Sequence, residues 1–431
     1  MTAETSRGTM GARDVLRLRD FRTLWLAQLI SDAGDGLTGT ALLLLVNSLT
    51  GSTAAIAAMA IALAVPPLTI GLIAGTYADR WNRRRIMLAS DAFRAVLVLG
   101  FVVVGTVAQL PILYALAFLQ ASVATFFNPA KGAIIPRIVP PEGLMSANSV
   151  SQATRVIAGV AGTAVAGGLI GFAGLYWPAF VLDGASFLVS LLLVSRIPAA
   201  LGAIPTGDHE TAPTGVRESL AIGLRVVAGS RILWVTIACL SLAMLGLGAV
   251  NVLFVPLLIN VLHASAAWFG PLEGAQTASM VLAAGIVAAL AARFSESRII
   301  VAACLGVGVI IVLMGQVSAV WQLLILLFLV GWFVTPLQAA VVTILQTRSA
   351  DATRGRVMSV LNASMSATSV VSMAAAGLLA DRLGVPVAFV IGGGVCFAAG
   401  VLGLVLYPRQ AAGGSEAVAS ATHMEAAGPS S

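Results

Sequence analysis

The chain has 431 residues, of which 59% are hydrophobic and only 10% charged, with a formal net charge of +6. Soluble domains carry roughly 25% charged residues, so this composition, with a mean hydropathy of +0.99, excludes a water-soluble globular fold and marks an integral membrane protein. The positive charge does not signal a nucleic-acid binder either, because the basic residues sit in short segments between apolar runs and not on one solvated face.

Apolar runs of about 20 residues, the length a helix needs to cross a bilayer core, recur along the whole chain. A basic N-terminus (Arg7, Arg13, Arg17, Arg19, Arg22) precedes a run too long for a signal peptide and without a small-residue cleavage site, so the first helix is expected to be retained. Helix 1 is expected over 24–46 and carries Asp32 and Asp35. Helices 2 and 3 follow at 53–77 and 86–108, and helix 4, at 110–127, is expected to end at Asn128-Pro129. Glycine-rich helix 5 covers 147–171 and helix 6 covers 176–195. A polar segment with Pro198, Pro205 and Pro213 comes next, followed by an amphipathic stretch from Val216 to Val227. Helices 7 to 12 fall at 231–259, 266–290, 299–317, 320–345, 356–380 and 385–407, and the Ala/Gly/Ser-rich tail is expected to be disordered. The expected organisation is a cytoplasmic segment 1–22, a six-helix bundle 23–196, a linker 197–230, a second bundle 231–407 and a cytoplasmic tail 408–431.

Twelve spans are consistent with the charges. Of 24 Lys and Arg residues, 21 fall on one side when the N-terminus is placed in the cytoplasm; only Arg382 falls opposite, and Arg94 and Arg155 lie within helices. Cytoplasmic loops carry the excess of Lys and Arg, so both termini are expected inside, in the cytoplasmic membrane of the cell. An internal repeat supports two related halves: Ala78–Ile86 aligns with Ala291–Ile299 at an offset of 213, Asn128-Pro129 with Thr335-Pro336 at 207, and Ala179-Phe180 with Ala388-Phe389 at 209. The fold class is all-α, twelve transmembrane helices in two pseudo-symmetric six-helix bundles. Cys239, Cys304 and Cys396 all lie inside apolar runs and the three histidines are scattered, so neither a disulfide framework nor a metal centre is expected. No phosphate-binding loop, Gly-x-Ser-x-Gly or His-Glu-x2-His pattern occurs, so no cofactor and no enzyme activity are expected.

Between helices 2 and 3 the chain reads Gly75-Thr76-Tyr77-Ala78-Asp79-Arg80-Trp81-Asn82-Arg83-Arg84-Arg85. The spacing Gly-x3-Asp-Arg-x2-Arg-Arg resembles the corresponding loop of the major facilitator superfamily, with Asn82 where a second glycine is usual. The resemblance extends over about residues 17–407. Phe21-Arg22, Gly34-Asp35-Gly36, Phe127-Asn128-Pro129-Ala130, Ala147-Asn148-Ser149 and Arg354-Gly355-Arg356-Val357-Met358-Ser359 are similar to the macrolide-efflux and siderophore-exporter branch. It implies a cytoplasmic gating loop that latches the bundles together through Gly75, Asp79, Arg80, Arg83 and Arg84, with Asp91 and Arg94 in the same charge network. Helix 5, with Gly159, Gly162, Gly167 and Gly168, resembles the antiporter signature of the superfamily, with Thr163 where proline is usual. The arginine that many drug antiporters place inside helix 4 is absent, since 115–127 carries only Gln120 as a polar candidate of that size.

A charged side chain at the bilayer centre costs about 2.5–3.5 kcal/mol on insertion scales, so each needs a reason. At 1.5 Å per residue, Asp35 lies roughly 20 Å into helix 1, and Asp32, three residues earlier, shares its face. These two and Glu273 in helix 8 are the proton-coupling candidates. Asp183, near the start of helix 6, reads as an interfacial cap. The resemblance places helices 5 and 8 at the bundle interface, which allows an Arg155–Glu273 pair and a cavity to which Gln28, Gln120, Phe126, Arg155, Asn251, Phe254, Gln276 and Gln338 are candidate contributors. The expected function is export of hydrophobic or amphiphilic small molecules by proton antiport and alternating access. The alternatives are a dedicated exporter of a natural product such as a siderophore, or a lysophospholipid transporter. The expected partners are the cargo, protons and the bilayer, without nucleic acid and with the chain acting as a monomer.

Overall fold

The computed structural model describes residues 10–71, 74, 77, 80–202 and 216–407. Gly75 and Asp79 of the expected gating loop, residues 1–9, most of the proline-rich part of the linker and the tail from 408 lie outside the described residues. Among the described residues every regular element is a helix. The spanning helices are α1 (Arg19–Thr50), α2 (Thr53–Thr69), α3 (Arg83–Leu99), α4 (Leu110–Ile138), α5 (Leu144–Ala173), α6 (Trp177–Ser195), α7 (Arg231–Pro256), α8 (Phe269–Ala284), α9 (Glu296–Met314), α10 (Val320–Arg348), α11 (Asp351–Leu383) and α12 (Val385–Leu406). Ten are long and apolar enough to cross a membrane as single helices. The eleventh, α8, is bent by 51° into a further piece, Val287–Arg293. The shortest, α2, contains Pro66 and Pro67, and helical backbone bonds continue beyond it from Ile70 to Pro66, Ala74 to Ile70 and Trp81 to Tyr77.

The end of helix 4 differs from expectation. Helix 4 does not stop at Asn128-Pro129 but runs through Pro129 and Pro136 to Ile138. Membrane helices tolerate proline because neighbouring groups re-satisfy the freed carbonyl, so the proline rule that ends helices in water fails here. Asn82, which stands where the resembling family usually has glycine, is the N-cap of α3 and accepts a bond from the Arg85 N–H at 3.1 Å, a role its amide oxygen suits.

Within the N-terminal bundle α1 packs on α5 and α6, and α3 on α4 and α6; in the C-terminal bundle α7 packs on α11 and α12, and α9 on α10 and α12. Without water to drive association, such contacts rest on close fit and small residues. Gly162 of α5 faces the backbone of α1, where a methyl group would overlap the Ala33 carbonyl. The bundles meet through α2 against α11 and α5 against α8. The linker contributes an amphipathic helix, Val216–Gly229, lying against α11.

The two ends of the molecule are fastened differently. At the end bearing Arg83, Arg137 and Arg231, here the basic face, the bonds among the described residues include Arg83 to the Ala133 carbonyl at 3.3 Å, Arg137 to that of Leu201 in the linker at 3.3 Å and Arg231 to that of Leu406 at 3.2 Å. At the far face the bonds cross between bundles. Asn47 and Asn260 exchange amide bonds of 3.0 and 2.9 Å. Asp381 of α11 caps the first turn of α2, accepting from the Ser52 hydroxyl (2.6 Å) and the N–H groups of Thr53 (2.7 Å) and Ala54 (3.2 Å). Gly167 of α5 lies so close to Ala266 that only a hydrogen fits. The far face is closed.

Candidate functional site

Behind that closure lies a cavity of about 480 Å³ between the bundles, lined by Gly36 and Thr40 of α1, Thr163 of α5, Asn251 and Phe254 of α7, and Glu273 and Gln276 of α8, with the rest of its wall largely aliphatic. The Thr40 hydroxyl donates to Thr163 Oγ1 at 3.1 Å, and the Glu273 carboxyl lies beside Thr163. This chain of three side chains joins α1, α5 and α8, and its centre is the residue that stands where the resembling antiporters carry proline.

A second cavity, about 500 Å³, lies within the N-terminal bundle and shares Gly39 and Leu63 with the first. Asp35, Arg94 and Gln120 face it. Asp35 forms an ion pair with Arg94, and the two ends differ in exposure: 42% for the carboxylate side chain against 6% for the arginine. The guanidinium is pressed over the Phe187 ring, 4.0 Å from its centroid. Two further carboxylates, Asp91 and Asp183, act on it electrostatically; both are fully buried. Asp183 accepts from Thr38 (2.6 Å) and Ser186 (3.0 Å), and Asp91 from Ser190 (2.7 Å). One guanidinium thus serves three acidic groups. Full ionisation would leave two uncompensated charges in a dry interior, where each ion costs several kcal/mol.

These positions correct several expectations. Asp183 is not an interfacial cap: it points inward at Gly34 of α1, where a side chain would collide with its carboxylate. Asp91 and Arg94 are not part of a network at the basic face. They sit two to three turns into α3, on the face that meets α1 and α6. Asp32 and Asp35 act on one another as their spacing implies, but each also has cations beside it: Asp35 pairs with Arg94, and Asp32 interacts with Lys131 and Arg155. Arg155 does not pair with Glu273, since Glu273 meets α5 at Thr163, eight residues or about 12 Å further along the helix.

Among the cavity candidates, Asn251, Phe254 and Gln276 line the central space and Gln120 the neighbouring one. Gln28 is instead bound by the Lys131 ammonium at 2.9 Å. Phe126 lies beside Tyr77 in a peripheral groove, their ring centroids 6.3 Å apart. Arg155 and Gln338 are exposed outside the described cavities. Of the helix-5 glycines, Gly162 and Gly167 make close backbone approaches, the Gly159 carbonyl lies against Gly36, and Gly168 faces open space. Arg80 borders the peripheral groove; Arg84 binds the Ser195 carbonyl of α6. Sequence reasoning missed Lys131 as an interior group, having ended its helix too early; its being the one lysine of the chain was the available signal. It also missed Asn47, Asn260 and Asp381, which no periodicity distinguishes from surface residues.

Comparison with known proteins agrees with this architecture. A family profile described as transmembrane secretion effector matches residues 11–428. The chain is 25% identical over 393 residues to YfiS, an uncharacterized MFS-type transporter of Bacillus subtilis, covering 89% of this chain and 92% of that one. It is 26% identical over 371 residues to the multidrug efflux pump Tap of Mycobacterium tuberculosis, covering 84% and 87%. To the enterobactin exporter EntS of Escherichia coli it is 27% identical over 344 residues, covering 78% and 79%. Among solved structures, the nucleoside transporter NupG superposes with a TM-score of 0.75 at 10% identity, covering 91% of this chain and all of that one. A POT family transporter gives 0.72 at 12%, covering 91% and 96%; at such identities the likeness is one of fold. With the profile extending across nearly its whole length, the chain belongs to the transmembrane secretion effector family of major facilitator transporters.

Proposed function

We propose that the protein is a secondary-active exporter of hydrophobic or amphiphilic small molecules, driven by inward proton flow, with the basic face in the cytoplasm. The volume of the central cavity lies within the roughly 300–1,000 Å³ of small-molecule sites, and its aliphatic wall with a few polar groups suits an amphiphile. The excess of arginine at the basic face supports the orientation. The similarity to an efflux pump and an exporter supports outward transport.

The single observation that carries the coupling is the uneven exposure of the Asp35–Arg94 pair. The carboxylate lies open to the second cavity, while the guanidinium at its edge is largely buried beside Asp91 and Asp183. A proton arriving on Asp35 releases Arg94 to those two carboxylates, and α1 and α3 then change their relation. Because α1 also lines the central cavity and ends at Asn47 in the far gate, the same helix touches proton site, cargo site and gate.

In proteoliposomes with an imposed pH gradient, Asp35→Asn abolishes gradient-driven export and leaves cargo binding intact. Unchanged transport by that variant at matched protein content would remove Asp35 as the carrier. The polar chain of Thr40, Thr163 and Glu273, with Gln276 beside it, favours a second reading, a dedicated exporter of a polar natural product. A panel of lipophilic cations, macrolides and catecholates separates the two by breadth of transport.

A further inference from the structure

Two grooves on the periphery repeat one another. The first, about 650 Å³, runs between α3 and α4 and is lined by Trp81, Arg85, Ile86, Ala89 and Phe126 among others. The second, about 370 Å³, runs between α9 and α10 and is lined by Phe294, Arg298, Ile299, Ala302 and Phe333 among others. The first four residues of each set are related by the offset of 213 that joins the two halves, and the two phenylalanines by 207. Each groove has an alanine on its wall, aromatic rings along its sides and an arginine in the first helical turn on the basic face. Both arginines are exposed, and among the described residues neither has a carboxylate within ion-pair distance. Helices α3 and α9 pack mainly within their own bundles, so these grooves lie away from the central cavity.

An apolar channel running along the helices with a cation at the membrane surface matches one kind of molecule, an acyl chain carrying a negative headgroup. Basic pockets between spanning helices on the cytoplasmic side hold such headgroups, and the positive end of a helix adds to the attraction. Interior positions of the two halves have diverged in charge, Arg94 standing opposite Val307 at the same offset. The grooves retain both the arginine and the apolar wall. We propose that the chain carries two equivalent sites for an anionic phospholipid, its phosphate on Arg85 or Arg298 and one acyl chain in the groove behind.

Native mass spectrometry of the delipidated full chain, titrated with phosphatidylglycerol or phosphatidylcholine, tests this. Two phosphatidylglycerol molecules are expected to be retained per chain, at least tenfold more tightly than phosphatidylcholine. Arg85→Gln removes one, and Arg85→Gln with Arg298→Gln removes both. Ala89→Trp and Ala302→Trp fill the grooves while keeping the charges, and remove the same two molecules. Equal retention of the two lipids, or both molecules persisting in the double glutamine variant, overturns the proposal. Loss in the glutamine variants without loss in the tryptophan variants overturns the acyl-chain site. Thermal unfolding in detergent identifies folded variants, and if one pair fails to fold the other decides the outcome.

Discussion

Arg94 and Val307 occupy equivalent places in the two bundles, as do Asp91 and Cys304, and Asp183 and Gly392. The packing of α1 on α6 and of α7 on α12 extends the correspondence. Gly34 makes room for Asp183, and Gly246 lies against Gly392, which sets Asp35 opposite Leu247. Four linked ionisable groups in one half therefore stand against a leucine, a valine, a cysteine and a glycine in the other. Both halves form the same bundle. The fold does not require the buried charges, which cost several kcal/mol each before pairing; the C-terminal half shows the same architecture with uncharged residues at these four places. The linked ionisable cluster belongs to the N-terminal half, and the C-terminal half supplies Glu273 and most of the wall of the central cavity.

The largest effect is expected from Arg94→Leu. It strands Asp35, Asp91 and Asp183 without their cation, and breaking a buried pair costs about 3–5 kcal/mol; thermal unfolding in detergent should show a large loss, with transport abolished. A fourfold exchange, Asp35→Leu with Asp91→Cys, Arg94→Val and Asp183→Gly, gives the N-terminal half the interior of its counterpart. Its melting temperature is expected to stay much nearer the parent than that of Arg94→Leu, while gradient-driven transport disappears. Unfolding of the fourfold variant would mean that the charges hold the bundle together, and the contrast between the halves would lose its meaning. The smallest effect is expected at the gate. Asp381→Ala removes a capping carboxylate worth about 1 kcal/mol, so the far-closed population should fall about fivefold relative to the far-open one. Labelling of a cysteine placed at Leu43 with a membrane-impermeant thiol reagent from the far side measures that shift, the native cysteines being buried.

The number of spans, the two-half plan and the linker helix were legible because long apolar runs and clustered arginines record them directly. The interior network was not. Counting residues along a helix gives the depth of Asp35 but not its direction, and its partner, Arg94, lies 59 residues away. Asp32 and Asp35 share a helical face by spacing, yet the neighbouring helices divide them between Lys131 and Arg94. Asp183 looked superficial because it is only six residues from the start of α6; the glycine that admits it, Gly34, is on another helix. Helix 4 was cut short by a rule learned in water, and Lys131 was carried out of the interior with it.

The far closure has a consequence for the proposed exchange. Asp381, Asn47 and Asn260 fasten it with groups that water can also satisfy, so each bond broken on parting is replaced, at a net difference of about 0.5–1.5 kcal/mol. A plug of tightly packed aliphatic side chains would hold far harder. Reversing a lopsided two-state balance takes only about 5.5 kcal/mol of differential binding, and in the proposed cycle that binding would have to part these bonds together with the close packing of Gly167 on Ala266. In the proposed exchange, cargo and proton would each select one of the two orientations.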